Sequence, residues 1–232
     1  MTAIIFDTET TGVNEPVIVE AAWLRMTGPD ERKIADEFLQ RYNPGKPIEL
    51  GAMATHHILD VDVADCPAAA EFRLPEGTEY LIGHNIDFDW RVVGEPPIKR
   101  ICTLALSRYL HPEIDQHTQS AMLYHYSADR AYTRERLRNA HSALADVRNC
   151  HTLLADLLDE LEMRGEINPA CVDWDAVWQI SERARVPTVM TFGKHKGERI
   201  ADIPGDYKAW LLRQPDVDPY LAKALRAGGA RR

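Results

Sequence analysis

The distribution of apolar and polar positions divides the first part of the chain into predicted strands, short helices and loops. Runs of branched and aromatic residues bounded by glycine, proline or aspartate predict strands. Five such runs occur, at residues 2–7, 17–26, 33–42, 79–83 and 98–102. Short helices are predicted at residues 49–57, from about 88, and at 103–110.

A long helix is predicted over residues 142–164, where leucine and other apolar residues recur at spacings of three and four. That spacing places them on one face of a helix. Strands in succession, followed by strands alternating with helices, are typical of an α/β domain with a mixed sheet. Gly165 ends the long helix, and we place the end of the first domain there.

The remainder of the chain predicts a connector and a small α+β module. The connector starts at Asn168 and contains a short helix capped by Asp173. Residues 188–200 then predict a strand, a turn and a second strand, and two short helices follow around 207–213 and 219–227. The predicted organisation is a domain at 1–165, a linker at 166–187 and a module at 188–232.

Composition predicts an ordinary folded protein of the cytoplasm. The chain has 45% hydrophobic and 27% charged residues, which is typical of globular domains. No apolar run approaches the roughly 20 residues that span a bilayer, and the N-terminus shows no signal peptide. We therefore predict no contact with a membrane. The four cysteines are scattered, which favours buried free thiols in a reducing compartment.

Charge is unevenly distributed along the chain. Residues 188–232 contain nine Lys and Arg against five Asp and Glu, a balance of +4, whereas the rest contains 18 against 31, a balance of −13. A basic segment attached to an acidic body suits a polyanionic substrate. We predict that Lys194 and Lys196, on the turn of the module, contact nucleic acid. A solvated turn and a protein-docking surface are the alternatives.

Two carboxylates close the first predicted strand. Side chains alternate across a strand, so Asp7 and Glu9 project from the same face. Neighbouring carboxylates repel each other, and a bound divalent cation offsets that repulsion. Hard oxygen ligands favour magnesium or manganese. A solvated acidic edge is the alternative, because two acids two residues apart are common.

Two further polar clusters follow the fourth strand and precede the long helix. The first runs from His84 to Asp89, at a usual place for active-site residues in α/β proteins, and Asp89 is its candidate ligand. His84 and Asn85 are predicted to fix the loop by hydrogen bonds. In the second cluster, His141 and Asp146 are five residues apart. On a helix, that spacing points two side chains about 140° apart. We therefore expect His141 on the loop before the helix and Asp146 in its first turns.

These clusters, in this order and spacing, resemble the DEDDh exonucleases, which have a ribonuclease H-like fold. The matching motifs are D-x-E at 7–9, H-N-x-x-F-D at 84–89 and H-x-x-x-x-D at 141–146. A sister group has tyrosine where this chain has Ser142, which favours the histidine branch. The resemblance covers about residues 1–160.

The resemblance implies a mixed five-stranded sheet flanked by helices, and a 3′→5′ exonuclease that releases 5′-mononucleotides. It assigns four metal ligands and a histidine base, which are Asp7, Glu9, Asp89, Asp146 and His141. Two Mg²⁺ ions per active site are implied, with Mn²⁺ as a substitute. Two shorter stretches, at 52–58 and 191–197, resemble the exodeoxyribonuclease X branch of the family. DNA 3′ ends are therefore the expected substrate.

Residues around the first two clusters are predicted to contact the terminal nucleotide. They are Thr10, Thr11, Gly12, Val13, Asn14, His84 and Asn85. Glycine allows the backbone to approach a ligand closely. Four arginines within 130–138 either hold phosphates or form a solvated basic loop before His141. His56 and His57 are predicted to have only packing or surface roles.

Three other functions are compatible with the same residues. They are an exoribonuclease of the RNase T or oligoribonuclease type, a polymerase-associated proofreading exonuclease, and a non-catalytic nucleic-acid-binding scaffold. Activity on matched DNA and RNA separates the first, and copurification with a polymerase reveals the second. The complete set of five catalytic residues argues against a scaffold.

Overall fold

The computed structural model describes residues 2–138 and 142–227. Within these residues the chain forms two compact units, one that ends at Ser181 and one that begins at Glu182. The division at 165 and 187 inferred from the sequence stays a prediction. Across the part of the chain that the structure describes, no helix is both long enough and apolar enough to cross a bilayer.

The first unit is built on a five-stranded sheet with the order β3-β2-β1-β4-β5. Its strands are β1 (Thr2–Thr10), β2 (Ile18–Met26), β3 (Ile34–Arg41), β4 (Thr78–Gly83) and β5 (Lys99–Cys102). β1 pairs antiparallel with β2 and parallel with β4, so the predicted mixed sheet is confirmed. β2 is buried along nearly its whole length, because it lies inside the sheet, whereas the edge strand β3 is mostly exposed.

Helices flank this sheet. They are α1 (Leu50–His56), α2 (Asp60–Val63), α3 (Asp87–Val92), α4 (Thr103–Leu110), α5 (Gln119–Tyr126), α6 (Arg130–Leu137) and α7 (Ala143–Met163), with a 3₁₀ turn at Ala69–Glu71. The next helix, α8 (Trp174–Ala184), begins in the first unit and ends in the second. The long α7 packs against β1 and β2, and α4 and α5 pack against α7. The leucine face of α7 is buried, as the spacing of its apolar residues predicts.

A solvated basic loop was one of the structures expected before the long helix. That expectation is wrong, because residues Arg130–Leu137 form helix α6. Asp129 caps this helix, since its carboxylate accepts the backbone N–H groups of Ala131 and Tyr132. Arg136 is also not a free phosphate ligand. Its guanidinium donates to the side-chain oxygen of Asn149 and to the backbone of α7, which fixes α6 against that helix.

The second unit packs a small apolar core beneath two helices, α9 (Gly205–Leu211) and α10 (Pro219–Ala227), and includes a 3₁₀ turn at Ile200–Asp202. Its core consists of Met190, Ile200, Ile203, Leu211, Leu221, Ala224 and Leu225. The two strands predicted at 188–200 are wrong, because the described chain forms a single antiparallel bridge between Val189 and Arg199. Gly193 and Gly197 have positive φ and turn the chain before either strand can extend.

The cysteines agree in part with the expectation of buried thiols. All four are free, and none pairs with another. Cys102 and Cys150 are buried in the first unit, whereas Cys66 is half-buried and Cys171 is exposed. The expectation is therefore wrong for Cys171, which lies in the exposed connector before α8.

Candidate active site

The candidate active site begins at the last residues of β1. The β1–β4 ladder ends at Ile5, so Asp7 and Glu9 lie beyond it. The two carboxylates lie on one face of β1, while Thr8 between them is buried on the other. The strand therefore presents two acidic side chains at the point where its parallel pairing stops.

Helix α7 supplies the third carboxylate. Asp146 lies in the first turn of α7, which packs against β1 and β2. One carboxylate oxygen from each of Asp7, Glu9 and Asp146 lies within 4.8 Å of the other two. The fold thus brings together three of the four predicted metal ligands, from positions far apart in the sequence.

The fourth predicted ligand, Asp89, is held against β1 by Thr8. Asp89 lies in the first turn of α3 and is buried. Its Oδ1 accepts the Thr8 backbone N–H at 2.9 Å and the Thr8 hydroxyl at 2.7 Å. These two bonds fix the orientation of the Asp89 carboxylate.

Burial raises the pKa values of three of these carboxyl groups, those of Asp7, Glu9 and Asp89. Repulsion between carboxylates adds to the rise for Asp7 and Glu9. The pKa of Asp7 lies well above its usual range, and that of Glu9 is raised to about 8. Burial raises the pKa of Asp89 to about 7, although the Thr8 hydrogen bonds oppose the rise.

A divalent cation fits this group of side chains. The three converging ligands are carboxylate oxygens, the donors that hard divalent cations prefer. The raised pKa values of Asp7 and Glu9 reflect burial first and then repulsion by neighbouring carboxylates. A bound cation would offset that repulsion and keep all the carboxylates ionised.

A fifth carboxylate, Glu20, was missed by sequence reasoning. It lies on β2 directly opposite Glu9 and is buried. Its Oε1 accepts the backbone N–H of Ala143, the first residue of α7, at 3.1 Å, and its Oε2 accepts from Arg41 at 3.0 Å. Glu20 therefore fixes the start of the helix that carries Asp146. One charged residue within the apolar run 17–24 was the signal.

Gln119 is a second residue that the sequence did not reveal. Its side-chain Nε2 lies 3.2 Å from both the Oδ1 and the backbone oxygen of Asp146. This contact orients the Asp146 carboxylate from the first turn of α5. Because α5 was not predicted, no sequence signal pointed to Gln119.

The segment after β1 is held by its own hydrogen bonds. The Thr10 hydroxyl donates to the backbone oxygen of Gly12 at 2.9 Å, and the Thr11 hydroxyl accepts the Val17 N–H at 3.2 Å. His56 is buried, and its Nε2 lies 3.2 Å from the Thr10 carbonyl oxygen. His56 therefore ties α1 to the end of β1, which agrees with the predicted packing role.

Val13 and Asn14 lie at the tip of this segment and are exposed. Val13 is an apolar side chain with 76% of its surface in solvent, which suits contact with a base. Contact between the terminal nucleotide and residues 10–14 stays a prediction.

His84 and Asn85 shape the loop after β4. The two ring nitrogens of His84 lie 3.0 Å from the Thr103 hydroxyl and 2.9 Å from the His117 carbonyl oxygen. Burial lowers the pKa of His84 to about 4, so the ring is neutral at physiological pH. Asn85 adopts a φ of 70°, which asparagine tolerates better than most residues. This geometry supports the loop-fixing interpretation, and direct substrate contact by either residue stays a prediction.

Three candidate residues remain, which are His141, Lys194 and Lys196. His141 lies outside the described residues, so its predicted role as general base rests on the sequence. Lys194 and Lys196 belong to the second unit, where both side chains are exposed.

Comparison with known proteins relates this chain to exonucleases. The exonuclease family model (RNase_T) matches residues 4–154. Exodeoxyribonuclease 10 of Escherichia coli (strain K12) is 32% identical over 229 residues, a match that covers 96% of each chain. The similarity to this protein therefore extends through both units.

Solved structures show the same architecture. Exonuclease X in complex with 5′-overhanging duplex DNA has a TM-score of 0.57 at 31% identity, covering 75% of this chain and 99% of that chain. The nuclease domain of 3′hExo, a DEDDh family member bound to rAMP, has a TM-score of 0.50 at 15% identity. It covers 68% of this chain and 92% of its own, and at this identity it shows the fold alone. The predicted ribonuclease H-like fold is confirmed.

Proposed function

We propose that this chain, which belongs to the exonuclease (RNase_T) family, is a 3′→5′ exodeoxyribonuclease of the DEDDh group that releases 5′-mononucleotides. One observation carries the proposal: carboxylates from β1 and α7 converge within 4.8 Å in a chain similar along its whole length to an exodeoxyribonuclease. The enzyme is a hydrolase whose partner is nucleic acid, and we propose DNA 3′ ends as that partner.

DEDDh exonucleases depend on divalent metal, and we propose Mg²⁺, with Mn²⁺ as a substitute. Asp7, Glu9 and Asp146 would hold two cations together with Asp89. When bound, the cations would offset the charge of the scissile phosphate and lower the pKa of the attacking water. We propose a cytoplasmic location, where reducing conditions keep cysteine thiols free, as all four are in this structure.

The side chains around the carboxylates prepare this site before substrate arrives. Thr8 fixes Asp89, and Gln119 fixes Asp146. Glu20 holds the first N–H of α7, so the helix that carries Asp146 starts at a fixed point on β2. Because ligands held in this way reorganise little on binding, the geometry is preorganised for the reaction.

We assign the proton transfer to His141. A histidine with a pKa near 6.5 accepts a proton from an attacking water at neutral pH and releases it after cleavage. The attack displaces the 3′ oxygen of the neighbouring nucleotide, and a 5′-mononucleotide leaves. The segment at 10–14 supports the terminal nucleotide, with Val13 and Asn14 at its exposed tip.

A direct assay tests this function. Purified protein is incubated with single-stranded DNA, duplex DNA and RNA of matched sequence, each with Mg²⁺ or with a chelator. With a 5′ label we expect a ladder that shortens one nucleotide at a time, and with a 3′ label immediate release of a mononucleotide. Faster cleavage of RNA than of DNA would assign the enzyme to the exoribonucleases. Release of a 5′-terminal nucleotide, or full activity in chelator, would reject the proposal.

A further inference from the structure

The second unit carries a surface on which lysines and aromatic rings lie side by side. Lys194, Tyr207 and Trp210 line one cavity of about 260 Å³. Phe192 and Lys196 flank Lys194 on the same turn and are exposed. We call these five residues the Trp210 surface. All five belong to the second unit.

The turn that carries the lysines is held to α9 through His195. The His195 side chain is buried. Its Nδ1 lies 3.0 Å from Glu198 Oε2, and its ring packs edge-on against Tyr207 with centroids 4.5 Å apart. With His195 turned inward, its neighbours Lys194 and Lys196 are left exposed.

A glycine allows this close packing of turn and helix. Gly193 has a φ of 70°, and a β-carbon there would lie 2.9 Å from the Tyr207 hydroxyl. The Lys196 N–H donates to the Gly193 carbonyl oxygen at 3.2 Å, and the Gly197 N–H donates to that of Met190 at 2.8 Å. The turn is therefore an ordered element that holds its lysines at defined positions.

Large aromatic side chains are exposed next to these lysines. Trp210 has 48% of its surface in solvent and Phe192 has 47%. Tyr207 supports the indole of Trp210 from within the chain, with centroids 5.4 Å apart and planes inclined by 38°. An exposed tryptophan beside exposed cations is typical of surfaces that stack bases and bind phosphates.

Charge favours a polyanionic ligand for this unit. Residues 182–232 contain eleven Lys and Arg against six Asp and Glu, a balance of +5, whereas residues 1–181 contain 16 against 30, a balance of −14. Asp206 also lines the cavity, so phosphates are favoured on the side of Lys194 and Lys196. The base is then placed over Trp210.

We propose that the Trp210 surface binds single-stranded DNA, with a base stacked on Trp210 and phosphates on Lys194 and Lys196. This inference rests on the proposed function, because it supplies that enzyme with a second contact to its substrate. Stacking accepts any base, and lysine binds phosphate as a point charge. The surface therefore gives affinity without sequence preference.

Binding measurements on the full chain test the proposal. Anisotropy of a labelled oligothymidylate is titrated at several salt concentrations, in an Asp7→Asn background that prevents degradation. Lys194→Ala with Lys196→Ala is compared with Lys223→Ala and Arg226→Ala, which remove two exposed charges of α10 in the same unit. Trp210→Leu removes the aromatic plane, and Trp210→Phe retains one. Circular dichroism and thermal melting verify that each variant is folded.

We expect the Lys194/Lys196 pair to flatten the slope of log affinity against log salt by about 1.4, since each phosphate contact to a single strand contributes about 0.7. Trp210→Leu weakens binding by roughly fivefold to 150-fold, the range for one lost stacked base. Trp210→Phe retains most of the affinity. Tryptophan fluorescence is quenched by oligothymidylate in the parent protein, and the quenching is smaller in Trp210→Phe.

Three outcomes overturn the proposal. Parallel salt slopes for the two charge-removing pairs would reject phosphate binding by the turn. A lysine effect with unchanged binding in Trp210→Leu would reject base stacking. If all variants bound DNA with equal affinity and a protein bound at this surface, the Trp210 surface would be assigned to protein docking. None of these outcomes affects the proposed function, which fails separately if the wild-type protein does not degrade DNA from 3′ ends.

Discussion

The two units of this chain hold their charges in opposite ways. In the first unit the functional charges are acidic. They lie partly or wholly buried on β1, β2, α3 and α7, and Asp89 and Glu20 are almost inaccessible to solvent. In the second unit they are basic and exposed, on a turn that is itself ordered. Buried like charges are unstable without a counter-ion, whereas exposed charges cost little.

This difference separates chemistry from affinity. A group of crowded carboxylates binds cations and so acts on the reacting phosphate. Exposed lysines and an exposed tryptophan, as proposed for the Trp210 surface, raise affinity for a polyanion. Changes in the first unit should therefore lower the turnover rate, and changes in the second should alter binding and its salt dependence. The following predictions test this separation, starting with the largest effect.

Removing one carboxylate of the converging group should have the largest effect. Asp7→Asn keeps the shape of the side chain but removes the charge that draws a cation to the group. We expect turnover to fall by roughly 10³-fold or more, since several kcal/mol of charge stabilisation are lost. Single-turnover cleavage of labelled DNA in Mg²⁺ measures this.

The matched control for that variant is Asp36→Asn on the exposed edge strand β3. It makes the same chemical change far from the group in the sheet order, and its turnover should equal that of the wild type. Near-normal turnover in Asp7→Asn would contradict the metal-binding role of the carboxylates. It would also remove the contrast between the two units.

His141→Ala should have the next largest effect. Loss of a general base lowers the turnover rate by roughly 10²–10⁴-fold and leaves substrate affinity nearly unchanged. The rate should also lose its dependence on a group with a pKa near 6.5. His57→Asn serves as the control, because His57 is exposed and asparagine tolerates its φ of 59°. An unchanged rate and pH profile in His141→Ala would leave that histidine without a catalytic role.

The sequence predicted those parts of the fold and site that depend on local periodicity. The strands and the long helix α7 were evident because their apolar residues repeat with the period of each element. Asp7 and Glu9 could be placed on one face for the same reason. The clusters at 84–89 and 141–146 could be identified from their residue types and order, although not from any distance.

Long-range hydrogen bonds explain what the sequence could not predict. Glu20 and Gln119 act on Asp146 or its helix across many intervening residues, and no periodicity encodes such a contact. The helices α5 and α6 were missed because few of their residues are buried and neither presents a strong apolar face. In the second unit, the strands were wrong because Gly193 and Gly197 turn the chain too early.

The smallest expected effect concerns the stability of the metal-free first unit. The folded pKa of Glu9 is about 8 and that of Asp89 about 7, whereas the unfolded values are near 4.3 and 3.9. At a pH between the unfolded and the folded pKa values, the folded protein binds more protons than the unfolded protein does. The free energy of unfolding must therefore fall as pH rises from about 5 to above 8.

Thermal melting in chelator between pH 5 and pH 8.5 measures this decline. We expect the melting temperature to fall by a few degrees more in the wild type than in Glu9→Gln, which removes one titrating group but keeps the overall acidic charge of the chain. Mg²⁺ should raise the wild-type melting temperature more at pH 8 than at pH 5, because ionised carboxylates bind it more tightly. A melting temperature that rises with pH in chelator would show that these carboxylates are compensated within the protein. The Trp210→Leu variant should follow the wild type throughout, because Trp210 is exposed and its replacement leaves Asp7, Glu9 and Asp89 unchanged.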